Sequence, residues 1–341
     1  MPLSLPSRPS TPIEDGATDN MADSLVSCVI PCYCSSATVG SVVDEIERTA
    51  VQRDDYAYEI VLVNDGSPDG GATARTIADL AQRSPRIVAV DLARNFGQHA
   101  AIMAGFAHVR GDIVVCLDDD GQTPANEMFK LVDKVAEGFD IVYASYEGHK
   151  QHSVFRNAGS SFNYWCNHVL MGTPRDLEQT SYFACKRYVV DSALRYENPY
   201  PYVEGLLFQS VQTYCNVPVA HRAREVGASG YSLHKLVSLW ANGFTAFSVV
   251  PLRIATIAGL LFAIVGFLLT VFLIVQKLLD PSTNEGWTSL MAGLLVVGGL
   301  IMLLLGVLGE YVGRIYLSLN KIPQYVVRNT HDARPAPDDE G

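Results

Sequence analysis

The chain has 341 residues, 48% of them hydrophobic, with a formal net charge of −11 at pH 7 and a mean hydropathy of +0.14. That length holds one large or two medium domains, and the apolar content is high for a wholly soluble chain. The acidic balance argues against nucleic acid as a partner. The seven cysteines show no disulfide framework. Cys28, Cys32 and Cys34 cluster, but no second pair or His set stands at zinc spacing, so reduced cytosolic thiols are expected.

Residues 1–23 are rich in Pro, Ser, Thr and acid without an apolar period, which predicts a disordered tail. No basic stretch followed by an apolar one occurs there, so no secretory signal is expected. From Ser24 the pattern changes. Val26–Ile30 is an apolar strand ending at Pro31, and Thr38–Val51 has helical spacing through Val39, Val42, Val43 and Ile46. Glu59–Val63 is the next strand and runs into the turn-rich Asn64-Asp65-Gly66-Ser67-Pro68-Asp69-Gly70. Further on, the pattern predicts helices over Ala72–Gln82, Gly97–Val109 and Asn126–Glu137. The strands between and after them are Ile87–Val90, Asp112–Leu117 and Asp140–Ala144. This spacing predicts βαβ units on a mostly parallel sheet, an α/β domain over 24–232. With right-handed crossovers the turns after successive strands share one rim, where Pro31–Tyr33, Asp65 and Asp118–Gln122 meet.

The strand ending at Leu117 is followed at once by Asp118-Asp119-Asp120-Gly121-Gln122. Three adjacent carboxylates repel one another unless a positive charge sits among them. A divalent cation on a diphosphate is one answer; a solvated acidic turn opening a helix is the other. Neither G-x-G-x-x-G nor G-x-x-x-x-G-K-[ST] occurs, so the dinucleotide fingerprint and the P-loop are both missing.

Residues 146–235 are polar and aromatic with little clean period. Arg156 begins an expected helix Arg156–Met171. In His221–Tyr231, Arg222 and Arg224 precede Gly227 and Gly230, a composition that suits a mobile loop closing on phosphates, since arginine forks pair with phosphate oxygens. Leu233–Phe247 places Leu236, Leu239, Trp240, Phe244 and Phe247 on one side. That reads as core packing or, directly before a membrane span, as an interfacial helix over 233–250. Ile254–Val275 and Leu290–Leu308 are uncharged runs, each near the length needed to cross about 30 Å of hydrocarbon as a helix. Arg253, Arg314, Lys321 and Arg328 flank the pair, whereas the link Gln276–Ser289 holds one Lys and two acids. This predicts two spans within 251–309, with both termini and the α/β domain cytoplasmic. A juxtamembrane segment 310–330 and a disordered tail 331–341 complete the chain.

Residues 24–330 resemble a family 2 glycosyltransferase of the polyprenyl-phosphate (undecaprenyl- or dolichyl-phosphate) type. The text that carries the resemblance is Val29-Ile30-Pro31-Cys32-Tyr33, Val63 to Gly70, Arg94-Asn95-Phe96-Gly97-Gln98-His99, Ala101 to Phe106, Leu117 to Pro124, and Leu308 to Tyr316, in order and at family spacing. The resemblance implies a GT-A (Rossmann-like) sheet domain, then a two-helix transmembrane hairpin with juxtamembrane amphipathic helices. It implies that Asp65 contacts the nucleoside and that Pro31 and Tyr33 line the base pocket; for Tyr33, a core aromatic is the competing reading. Asp118 and Asp119 would lie on the donor ribose and diphosphate, and Asp120 and Gln122 would bind Mg2+ or Mn2+. Arg156, Arg224 and Ser229 would contact the nucleotide sugar, with Asp118, Asp120 and Arg224 closest to the chemistry. The activity implied is metal-dependent, inverting transfer of a sugar from a nucleotide sugar, such as a UDP-sugar, to a membrane polyprenyl phosphate; a homo-oligomer is compatible with it. Several positions depart from the family pattern. Cys34-Ser35 replace Asn-Glu, Tyr146 replaces an Arg, Ser181-Tyr182 replace Asp-Phe, and Gly230 replaces a Lys. These leave the sugar open. They also leave open another membrane-bound family 2 transferase acting on a glycan or lipid, or a non-catalytic relative serving in membrane assembly.

Overall fold

The computed structural model describes residues 24–146, 177–220, 250–279 and 286–335. The chain divides into two compact units, one of residues 1–231 with 321–341 and one of residues 232–320.

In the first unit, β1 (Leu25–Cys32) leads to α1 (Val39–Ala50), β2 (Ala57–Asn64), α2 (Ala72–Arg83), β3 (Ile87–Leu92), α3 (Gln98–Phe106) and β4 (Ile113–Cys116). A 3-10 turn at Ala125–Glu127 enters α4 (Met128–Ala136), and β5 (Ile141–Tyr146) follows. The expected strands and helices therefore form, with ends shifted by no more than three residues. The physical cause is the one the period implies. The α1 helix buries Val39, Val42, Val43, Ile46 and Ala50, a single stripe. The strands are buried on both faces and so read as continuous apolar runs. Ile30, Leu62 and Val115 join the core with α1 and α4. On the other face α3 lies so close that a methyl on Gly105 would strike Val29.

The sheet order is β7-β5-β6-β4-β1-β2-β3-β8. The pairs β4-β1, β1-β2 and β2-β3 are parallel, as expected. The second half was not legible from the period. There β6 (Phe183–Lys186) enters between β4 and β5 and pairs antiparallel with both. After it come α5 (Arg187–Leu194), α6 (Val203–Ser210) and β7 (Tyr214–Val219), which pairs parallel with β5.

The second unit contains α7 (Val250–Leu279) and α8 (Trp287–Leu319). Within α8, Val296–Leu319 is long and apolar enough to cross a membrane, with a mean hydropathy of 2.0. The two helices touch where Gly259 faces Leu304.

After α8 the chain adds β8 (Val327–His331) to the first unit's sheet, antiparallel to β3. The boundary expected between a segment ending at 330 and a tail beginning at 331 falls inside this strand. The order extends further: Arg334 makes a 2.6 Å ion pair with Glu59, the two side chains being 7% and 4% exposed. A buried carboxylate needs a cation or several donors, and Glu59 has Arg334, the Ser27 hydroxyl and the Arg110 amide. The expected helix Arg156–Met171 and the interfacial helix of 233–250 lie outside the described residues, except for Val250.

Candidate active site

The rim is assembled by backbone bonds between strand ends. The Asp65 amide donates to the Cys32 carbonyl at 2.9 Å, and the Leu117 amide donates to that of Val29 at 3.2 Å. Residues 32–35, 64–70, 93–98 and 117–122 thus come together beyond the carboxyl ends of β1 to β4, where α/β sheets bind ligands.

Asp65 is 4% exposed, and its two oxygens accept the amides of Phe96 (2.7 Å) and Gly97 (2.9 Å). Burial pushes its carboxyl above the usual aspartate range, and the two amides offset part of that push. Here Asp65 latches the turn that starts α3. Gly66, at φ 56°, is required because a side chain there would collide with the backbone of Arg94 and Asn95. Asn64 ties three turns together. It donates to Asp91 (2.7 Å) and accepts the Ser67 hydroxyl (2.6 Å), which itself accepts the Cys34 amide (2.9 Å).

Tyr33 is 50% exposed, which removes the core-aromatic reading. Its amide donates to Asp119 at 3.0 Å. Burial raises the Asp119 carboxyl, and the Tyr33 amide opposes that. Pro31 is buried within β1, in register with Val63.

Asp118 is held from both sides. Gln98 Nε2 donates to one oxygen at 3.3 Å and the Ser181 hydroxyl to the other at 2.7 Å. Ser181, which stands where the resemblance puts an acid, therefore supports Asp118 rather than repelling it. Asp120 accepts the Gln122 amide at 3.0 Å across Gly121, whose φ is 76°. Tyr146 lies against Asp118 and Asp120, and burial with those two charges pushes its hydroxyl up to about 12. The sequence pointed to the acids but not to Gln98, Ser181 and Tyr146 as their neighbours. Arg156, Arg224 and Ser229 lie outside the described residues.

No group of three His, Cys, Asp or Glu side chains poised as a closed metal centre occurs among the described residues. The donor set still fits a hard cation. Asp120 and Gln122 offer oxygens on a partly exposed turn, and Mg2+ is commonly held by one or two carboxylates together with substrate phosphates.

Residues 27–192 match the family described as Glycosyl transferase family 2, and residues 250–315 match the GtrB C-terminal hairpin. The undecaprenyl-phosphate 4-deoxy-4-formamido-L-arabinose transferase of Sodalis glossinidius is 37% identical over 307 residues, 89% of this chain and 93% of its own. The enzyme of the same name from Salmonella choleraesuis is 35% identical, over 89% of this chain and 92% of its own. The solved glucosyl-3-phosphoglycerate synthase of Mycobacterium tuberculosis with Mn2+ and UDP-glucose shares 21% identity, covering 71% of this chain and 85% of its own, at a TM-score of 0.49. With relatives matched along nearly their full length, and with a sheet domain and a membrane-type hairpin both accounted for, the chain belongs to glycosyl transferase family 2.

Proposed function

We propose that this protein transfers a sugar, with inversion, from a UDP-sugar to a polyprenyl phosphate at the cytoplasmic surface of a membrane. The observation that carries the reading is the likeness to undecaprenyl-phosphate transferases over 89% of the chain, with the hairpin matched at residues 250–315. A prenyl tail stays in lipid while its phosphate reaches the surface, so an enzyme on this substrate needs an anchor beside its site. We assign α7 and α8 as two spans, with the basic flanks Arg253, Arg314 and Lys321 inside.

The reaction forms a bond from a phosphate oxygen to the anomeric carbon and breaks the bond from that carbon to the nucleoside diphosphate. The attacking oxygen is already anionic at pH 7, so the site needs no strong general base. A serine at 181 is therefore compatible with turnover. Asp65 and Tyr33 take the nucleoside, Pro31 backs that pocket from within β1, and Asp118 and Asp119 face the ribose and diphosphate. Arg224, with Arg156 and Ser229, binds the nucleotide sugar through its phosphates. A bound Mg2+ or Mn2+ supplies electrostatic stabilisation to the leaving diphosphate, and Asp120 and Gln122 are the residues to hold it.

The test uses membranes carrying the protein, labelled UDP-sugars and undecaprenyl phosphate. Labelled lipid should form, vanish with a chelator and return with Mn2+. Asp120→Ala should cut the rate by about 100-fold or more, the scale of a lost electrostatic group. Absence of labelled lipid with every common UDP-sugar, together with Mn2+-dependent UDP binding unchanged in Asp120→Ala, would defeat the reading.

A further inference from the structure

Beneath Asp118 lies a polar cluster that transfer at the rim does not use. Tyr143, in β5, is fully buried, and its hydroxyl makes no full hydrogen bond among the described residues. Gln179 stands beside it as a weak hydrogen-bonding neighbour, and its Nε2 has no other partner among those residues. His99, in the first turn of α3, faces Glu204, in the first turn of α6. Nδ1 and Oε2 are 3.4 Å apart, yet both are buried atoms without a hydrogen bond to the described residues. The Tyr202 ring meets the edge of His99, with centroids 5.2 Å apart.

Interiors rarely leave polar atoms unbonded, because each then loses its water without replacement. Here the atoms meet only loosely, in two facing couples, which leaves hydrogen-bonding capacity that a ligand can complete. The cluster is also joined to the rim. His99 follows Gln98 and Gln179 stands two residues before Ser181, and Gln98 and Ser181 are the two side chains that hold Asp118. Cys116, two residues before Asp118, is flanked by the charges of both Asp118 and Glu204. His99 and Glu204 each keep 20% of their side-chain surface exposed, so the cluster borders solvent at these two residues.

We propose that His99, Tyr143, Gln179 and Glu204 form the pocket that reads the sugar of the donor. The carboxylate accepts, Gln179 Nε2 donates, and the tyrosine hydroxyl and the imidazole can each do either. The matching ligand is a ring substituent that both donates and accepts, as an acylamino group or an adjacent pair of hydroxyls does. This assignment rests on the UDP-sugar reading above and deepens it.

The test compares Glu204→Gln and Tyr143→Phe with the parent protein in membranes, using a panel of UDP-sugars that differ at single ring substituents. Affinity for UDP alone and thermal unfolding are followed alongside. A site built to hydrogen-bond a substrate group discriminates strongly against analogues that lack it. Each variant should lower kcat/KM for the best donor by roughly 10-fold or more, while deoxy donors lacking that substituent lose less than about 3-fold. UDP affinity should stay constant. Transfer by the parent with unchanged donor ratios in both variants would overturn the pocket and leave the transferase standing. Failure of the parent to form any lipid product, with variants that still lose preference for UDP-sugar over UDP in binding, would keep the pocket and remove the transfer. Absence of both transfer and UDP-sugar binding in the parent overturns both. If Tyr143→Phe unfolds, Glu204→Gln and Gln179→Ala carry the same comparison.

Discussion

Asp65 shows how one carboxylate serves structure and function together. It fixes the turn before α3 through two amides, and burial holds its proton more tightly than in an ordinary aspartate. Asp119 is shifted the same way. As pH falls, both groups protonate before an exposed aspartate would. Nucleotide binding should therefore weaken on the acid side above the ordinary aspartate range, as read from a pH series of UDP affinity. A fall confined to the ordinary range would mean that neither group governs binding. Asp140 runs the other way. Burial pushes it up, but the amides of Thr213 and Gln212, both 2.9 Å away, and Lys186 outweigh that and hold it net below the usual range. A carboxyl depressed in the folded state stabilises above its unfolded pKa, and that stability is lost as pH falls through the folded value. Asp140→Ala should cost about 1.5–3 kcal/mol at pH 7, the range for hydrogen bonds to a charged group. The gap to the parent should close progressively in acid, as followed by thermal unfolding.

At the scale of elements, β8 is the informative case. Four of its five residues are exposed, so its own burial gives it little reason to stay. It is kept by pairing with β3, by Arg328 on Asp91 and by Arg334 on Glu59. Arg334 also reaches the His108 carbonyl at 2.9 Å, and Arg110 reaches the Pro335 carbonyl at 2.6 Å. Removing one partner of a buried pair leaves an uncompensated charge. Arg334→Ala should therefore cost roughly 3–5 kcal/mol. Pairing it with Glu59→Gln should recover part of the loss, because the remaining carboxamide needs no cation. Denaturant unfolding of the detergent-solubilised protein measures both. If the single variant loses under about 1 kcal/mol, the pair does not anchor the strand.

For the whole molecule, the two units divide the work by solvent. One buries apolar strands under helices; the other leaves Leu261 58% exposed and Leu303 64% exposed along long helices. Such surfaces suit lipid rather than water. Leu261→Lys with Leu303→Lys places a charge in each helix, at roughly 2.5–3.5 kcal/mol per charge near a span centre. The double variant should leave the membrane pellet on alkaline extraction and lose lipid product, while UDP binding by the sheet unit persists. Full retention in the pellet would show that these faces do not meet lipid.

The sequence by itself determined the alternation from β1 to β5, the acidic turn at Asp118–Gln122 and the two apolar runs. Each is written in a local period or a contiguous composition, and burial on one face or both reproduces it directly. Only the tertiary structure decided that β6 enters between β4 and β5, that β8 closes the sheet edge, and that Gln98 and Ser181 converge on Asp118. Four-residue β6 is too short to show a period, and β8 is mostly exposed and shows none. Gln98 and Ser181 lie 20 and 63 residues from Asp118, so no spacing along the chain announces them. Their meeting follows from strand order, which is settled by which faces and edges can be buried together in three dimensions.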